Sequence, residues 1–371
     1  MNLKTQNGRR FLPKSRAGVT TLRQINDLLC EEILEVTGCT EPASVAFAFL
    51  RARQHLRQPL DMMTVRAQLS ASSGVLRNAS TAIVPFIKRR GLRAVVAAGL
   101  SSQANQFNLF PAIEPRTAAT LLKRRSWLTV RRVRQKGIYV KAVLCTPKES
   151  VTVIIQGRHD GIRSISRDGN IIYQARTHAR QAMNMADILA VAAQRDPGLE
   201  AKAREFITRQ IRGDSSQALP ERIAALICAR MCGASSPIMT ITGSGNQGIL
   251  LGVPYQGLYR KHGKRILPAT LLSLLTQIHL TEKSKRISDK CGLATKAAPA
   301  LAAGLAFAEG RDSGNIRRIM SDVEQRLRNM RCHGARAGCG GKAARAFRQV
   351  LRSLQDSRLI GRKDVFCWKH V

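Results

Sequence analysis

Acidic residues are scarce in this sequence. There are 24 Asp and Glu against 61 Lys and Arg, a formal net charge of +37 over 371 residues. Aromatic residues make up only 4%. That shortage removes the stacking platforms on which single-stranded nucleic acid is read, and no zinc-finger or RNP pattern appears. Nucleic acid is therefore expected only as a non-specific partner drawn by charge. No apolar run reaches the roughly eighteen residues of a membrane span, so no membrane partner is expected. The basic opening, residues 1–16, lacks the apolar centre of a secretory signal. These absences favour a cytoplasmic protein. Nine cysteines, an odd number unevenly spread, argue against a secreted disulfide framework and for thiol chemistry or metal binding.

What is present is enough for a globular protein. Hydrophobic residues are 44%, sufficient for a core. Of the basic residues 44 are Arg and 17 Lys, spread along the chain as a bias in residue use would spread them. The densest run, 123–141, is the best candidate for a polyanion patch, with a solvated strand pair as the plainer reading. Helical spacing marks residues 20–33, and a second apolar helix follows over 43–55. Strands are expected at 63–69, 81–84, 138–144, 150–156 and 170–173. Helices are expected at 93–100, 177–193, 200–209, 220–231, 270–279, 293–308, 315–329 and 343–354, with a short strand at 238–241. The fold class is α+β: an N-terminal mixed α/β domain, then a mainly helical, cysteine-bearing C-terminal domain. The boundaries are a basic lead at 1–18, the mixed domain at 19–214 and the helical domain at 215–371.

Four features carry candidate chemistry. Cys39 stands after a glycine and at the mouth of the second helix, where unpaired N–H groups and the helix dipole favour a thiolate. A thiolate there can act as base or nucleophile; a buried structural cysteine is the plain alternative. Cys291, Cys332 and Cys339 lie among glycines and alanines and could be three thiolate ligands, leaving one iron of a cluster open. Their spacing matches no common ferredoxin or zinc pattern, so three core cysteines remain the simpler reading of spacing alone. Gly243-Ser244-Gly245-Asn246-Gln247-Gly248 fits G-x-G-x-x-G but lacks the βαβ setting and the acidic residue of a dinucleotide site. It suits a backbone grip on a carboxylate, with Ser244, Asn246 and Gln247 adding polar groups, or a tight turn. His159, in Gly157-Arg158-His159-Asp160-Gly161-Ile162, is placed to touch substrate or to sit on a surface turn.

Taken together, Thr37-Gly38-Cys39-Thr40-Glu41-Pro42, Arg77-Asn78-Ala79, the 243–248 stretch, Cys291-Gly292 and Cys332-x-Gly334-Ala335-x-x-Gly338-Cys339-x-x-Lys342 follow the order of one family. The chain resembles the L-cysteine desulfidase family, related to the α-chain of iron–sulfur L-serine dehydratases, over roughly residues 25 to 355. The resemblance implies that Cys39 takes the substrate α-proton and that Cys291, Cys332 and Cys339 hold a 4Fe-4S cluster. Asn78, His159, Gly243, Ser244, Gly245, Asn246 and Gln247 would contact a small amino-acid substrate. β-Elimination would release sulfide from L-cysteine, or water from L-serine, leaving pyruvate and ammonia. Departures stand beside it. Pro85-Phe86-Ile87-Lys88 replaces a P-G-T-G loop, His159-Asp160-Gly161-Ile162 replaces H-T-N-I, Cys228-Ala229-Arg230-Met231 replaces D-A-R-M, and Cys332-His333-Gly334-Ala335-Arg336 replaces C-D-G-A-K. Three functions are therefore carried forward: an iron–sulfur lyase, a weakly active or inactive relative of it, and a basic nucleic-acid-binding protein. A homo-oligomer is left open.

Overall fold

The computed structural model describes residues 21–176 and 182–358. The basic lead at 1–18 and the first residues of the helix expected at 177–193 lie outside the described residues. The chain is α+β, as expected. Helix α1 (Leu22–Glu32) leads through strand β1 (Glu35–Thr37) into α2 (Thr40–Gln54), β2 (Arg66–Ser72), α3 (Ser73–Thr81), β3 (Ile83–Val84), β4 (Arg89–Arg90), α4 (Leu92–Ser101) and α5 (Pro115–Lys123). Five strands follow: β5 (Leu128–Val133), β6 (Tyr139–Cys145), β7 (Ser150–Gln156), β8 (Ile162–Arg167) and β9 (Asn170–Gln174). Then come α6 (Met185–Gln194), α7 (Pro197–Thr208), α8 (Leu219–Met231), β10 (Pro237–Met239), α9 (Gly245–His262) and α10 (Leu267–Lys283). A π-helical turn (Leu293–Ala297) opens α11 (Ala298–Ala308), and α12 (Ser313–Leu327) and α13 (Cys339–Arg358) close the described chain.

Six strands form one sheet in the order β5-β2-β6-β7-β8-β9. Only β2 and β5 run parallel; the intervening α3, α4 and α5 supply the crossover that parallel pairing requires. Strands β6 and β7 alternate buried and part-exposed residues, the period-2 pattern of a sheet with one face on a core. That face packs on α2, and α4 packs in turn on α2. Strand β9 pairs with β8, not directly with β7. The expected strand at 63–69 begins only at Arg66, because Asp61 binds the Met63 amide and the Thr64 hydroxyl in a turn.

A second core is helical, built from α6 to α13 around Phe206, Tyr255, Leu271 and Leu301. Helix α1 belongs to it as well: Ile25 and Leu29 are buried there. A capping box between Thr21 and Gln24 starts this helix, satisfying two otherwise orphaned N–H groups. Strand β1 pairs antiparallel with β10, and Thr240 N donates to Leu34 O at 2.7 Å. From α1 on the helical core the chain thus crosses to the sheet through Gly38 and Cys39. Among the described residues, no helix is long and apolar enough to cross a membrane.

Candidate functional site at the junction of the two cores

The crossing places Cys39 at the N-cap of α2, preceded by Gly38 at φ +73°. A cavity of about 110 Å³ lies beside it, far below the several hundred Å³ typical of drug-sized sites. Every site residue expected from the sequence borders it: Cys39, Asn78 and His159 from the sheet side, 243–247 from the start of α9, and Cys291, Cys332 and Cys339 from the helical side. The cavity brings all of them together. It also collects Glu41, Arg230, Arg286 and Lys296, which sequence reading had not singled out.

Two glycines permit this convergence. Gly243 has φ +73°, and a Cβ there would stand 2.1 Å from His159 Nδ1. A Cβ at Gly292 would stand 2.4 Å from Gln247 Nε2. Any larger residue would push the imidazole or the Gln247 amide away from the cavity. The stretch expected as a loop or turn is only partly one. Thr242 and Gly243 make the turn, Ser244 caps with its side chain accepting from Gln247 N, and α9 begins at Gly245. The 243–248 stretch is therefore a helix N-terminus facing the cavity, which carries partial positive charge. Asn246 Oδ1 accepts from Arg230 Nη1 at 2.8 Å, and Gln247 accepts from Gln277.

Glu41, in the first turn of α2, organises the sheet side. Its Oε2 accepts from the Cys39 thiol at 3.2 Å and from Thr40 Oγ1 at 3.2 Å. Its Oε1 accepts from Asn78 Nδ2 at 2.7 Å and faces His159 Nε2 at 3.9 Å. Burial opposes charge on this carboxyl, but His159, the Asn78 amide and the Cys39 thiol outweigh it and bring it down to about 2. Cys39 moves the other way. Burial pushes its thiol well above the ordinary range and the Glu41 charge adds to that, while Arg230 pulls it partly back. The helix mouth, expected to favour a thiolate, is outweighed by these two effects.

His159 is only 5% exposed, so it is not a surface turn residue. Its neighbour Arg158 fixes the turn with a two-pronged bond to Asp160 and a further bond to Glu31. Both His159 ring nitrogens, Asn78 Oδ1 and Arg230 Nε are buried without a hydrogen bond. Native interiors leave few such groups, and their grouping around one cavity points to a polar ligand.

On the helical side, Cys291 is buried, and its thiol is pushed up chiefly by that burial, with the neighbouring Cys332 and Cys339 adding to it. Cys339 Sγ lies 3.5 Å from Gly334 O. The eight described cysteines are free thiols. Three soft thiol donors around one cavity suit an iron–sulfur cluster in kind. Among the described residues no three His, Cys, Asp or Glu are already drawn together as a metal-holding group. The positions that depart from the resembled family face away. His333 and Arg336 are exposed, Cys228 Sγ donates to Ala337 O at 3.1 Å, and neither Phe86 nor Ile87 lines the cavity.

A thiol-lined cavity thus lies between a mixed sheet and a helical core. The serine dehydratase alpha chain family matches residues 117–356, and the chain belongs to that family. A UPF0597 protein of Thermosipho africanus is 26% identical over 370 residues, spanning 92% of this chain and 90% of that protein. UPF0597 proteins of Clostridium perfringens and Bacteroides thetaiotaomicron are 26% and 23% identical, over 85% and 86% of this chain and 83% and 84% of their own lengths.

Proposed function

We propose that this chain is an iron–sulfur-dependent lyase that eliminates sulfide from L-cysteine, or water from L-serine, to give pyruvate and ammonia in the cytoplasm. The observation that supports it is the meeting of Cys39 with Cys291, Cys332 and Cys339 on one small cavity, in a chain of the serine dehydratase alpha chain family. Cys291, Cys332 and Cys339 would hold a 4Fe-4S cluster. When bound, such a group supplies a Lewis-acid position for the leaving group.

The remaining work falls to side chains of the chain itself. Glu41 and Asn78 Oδ1 offer acceptors to the α-ammonium of an amino acid. Arg230 and the N-terminus of α9 offer positive ends to its carboxylate. Cys39, as thiolate, takes the α-proton. The Cα–H pair becomes the second Cα–Cβ bond, and the Cβ–S or Cβ–O bond breaks with its electrons, releasing sulfide or hydroxide. The aminoacrylate then tautomerises to an imine, and water hydrolyses it to pyruvate and ammonia.

Anaerobic reconstitution with iron and sulfide should give a brown protein with about four irons per chain, releasing sulfide or pyruvate from the two amino acids. Cys39→Ser should keep the iron and lose turnover, whereas Cys332→Ser should lose both. Colourless, iron-free protein after reconstitution overturns the reading, and parental activity in Cys39→Ser overturns the role of Cys39. A second reading, a weakly active relative, draws support from Phe86 and Lys88. They hold φ of 65° and 55° where the resembled family keeps glycines. Iron uptake with no product from either substrate would favour it.

A further inference from the structure

We infer that the ammonium group of a bound amino acid itself turns Cys39 into a base, by occupying the Glu41 carboxylate that otherwise keeps the thiol protonated. This rests on the amino-acid reading of the cavity given above.

The geometry is compact. Cys39 Sγ stands 3.2 Å from Glu41 Oε2 and donates to it. Two anions at that distance in a buried site repel strongly, and the hydrogen bond holds the thiol proton where it is. Glu41 is thus a brake on Cys39. Of the other groups, Arg230 on α8 favours the thiolate, and His159 from the β7–β8 turn faces Glu41. Arg286, Lys290, Lys296, Cys291, Cys332 and Cys339 also border the cavity.

The unpartnered atoms show where an ammonium fits. Asn78 donates its Nδ2 to Glu41 Oε1, while its own Oδ1 is buried and unpaired. An amide oxygen and a carboxylate held side by side form a cradle for an ammonium, which brings three donors and a positive charge. A charge placed there offsets the carboxylate's field at Sγ and competes for its hydrogen bond, and the thiol proton can leave to water. The thiolate then forms only beneath a substrate, and the empty cavity keeps the less reactive thiol.

The test titrates Cys39 by the ultraviolet thiolate absorbance of the full-length protein, minus that of Cys39→Ser, so that turnover is not required. L-Alanine has the ammonium and carboxylate but no leaving group. It should raise the thiolate fraction at a given pH by about tenfold, a shift of about one pKa unit. Propionate, lacking the ammonium, should not raise the thiolate fraction. Without ligand, Glu41→Gln should give a similar rise and should no longer respond to L-alanine, while Glu41→Asp should keep the thiol protonated. An unchanged titration in Glu41→Gln overturns the inference, as does an equal shift with propionate. If Glu41→Gln fails to fold, the comparison of L-alanine with propionate on the parent protein decides alone. Sulfide or pyruvate release from the parent decides the lyase reading separately.

Discussion

Lys296 shows how much at this site is set by single residues. It is 1% exposed and lies on the π-helical turn before α11, a form of helix often found at functional sites. Its amine donates to Lys285 O at 2.6 Å and Arg286 O at 3.3 Å, tying down a segment of the cavity wall. Burial, with the Arg286 charge beside it, brings its pKa down from 10.5 to about 8. A depressed lysine pKa means that the unfolded chain binds more protons between those values. The penalty is therefore full below about pH 8 and is relieved as pH rises toward 10.5. Relative to Lys296→Met, the parent should gain about 2 kcal/mol of stability between about pH 7.5 and about pH 10. Urea unfolding of both proteins at the two pH values checks this, and parallel curves would refute it. Sequence reading found the thiols, Asn78 and His159 because they lie in motifs, but it passed over Lys296. A lysine in an alanine-rich run reads as an ordinary helix position. Its signal was a charge interrupting an otherwise buried face. Glu41 was visible within G-C-T-E-P, yet an acid in a helix first turn already has an explanation in the helix dipole, which hid its contact with the residue two places before it.

At the scale of elements, periodicity revealed those with one buried face and missed those without. Strands β6 and β7 and helix α1 were legible from apolar spacing. Strand β5 is Arg-rich and largely exposed, so it shows no alternation. Helix α9 opens on glycines and contains Pro254, both poor helix formers. It is helical because nearly every side of it is buried in the helical core, where tertiary packing outweighs propensity. The segment at 85–88 is the opposite case, a local conformation at odds with its residues. Phe86 is held at φ 65° although it is 42% exposed, so little packing offsets the left-handed backbone. Phe86→Gly should stabilise the protein by about 1 kcal/mol. Lys88 has φ 55° as well, but its Nζ donates to Gly233 O at 2.6 Å, and a glycine there would lose that bond. Equal or lower stability of Phe86→Gly in urea would mean that its ring contributes more than its exposure suggests. The loop abuts Gly38, where a Cβ would lie 2.7 Å from Pro85. Strain at 85–88 is therefore carried next to the residue that sets Cys39 at the mouth of α2.

The whole molecule is dominated by its charge. Acidic residues are too few to pair every arginine, and several of the described arginines bind main-chain carbonyls: Arg53 reaches Leu100 O, and Arg93 reaches Leu122 O. The basic run at 123–141 falls partly on β5, the sheet edge, where Arg131 and Arg132 are exposed. Charged side chains on an edge strand discourage pairing with a second sheet, a structural use of the run that needs no polyanion. The small cavity lies elsewhere, at the junction of the two cores. The charge and the site are thus separate features, and they predict separable behaviour. Duplex DNA should bind at low salt through released counterions, and affinity should fall by a factor of about a thousand or more between roughly 50 and 200 mM salt. The binding should not compete with L-cysteine or L-serine, because the basic edge and the cavity share no residues. Filter binding across a salt series, with and without either amino acid, measures both. Tight binding that survives physiological salt would restore the nucleic-acid reading, because counterion release alone cannot sustain it.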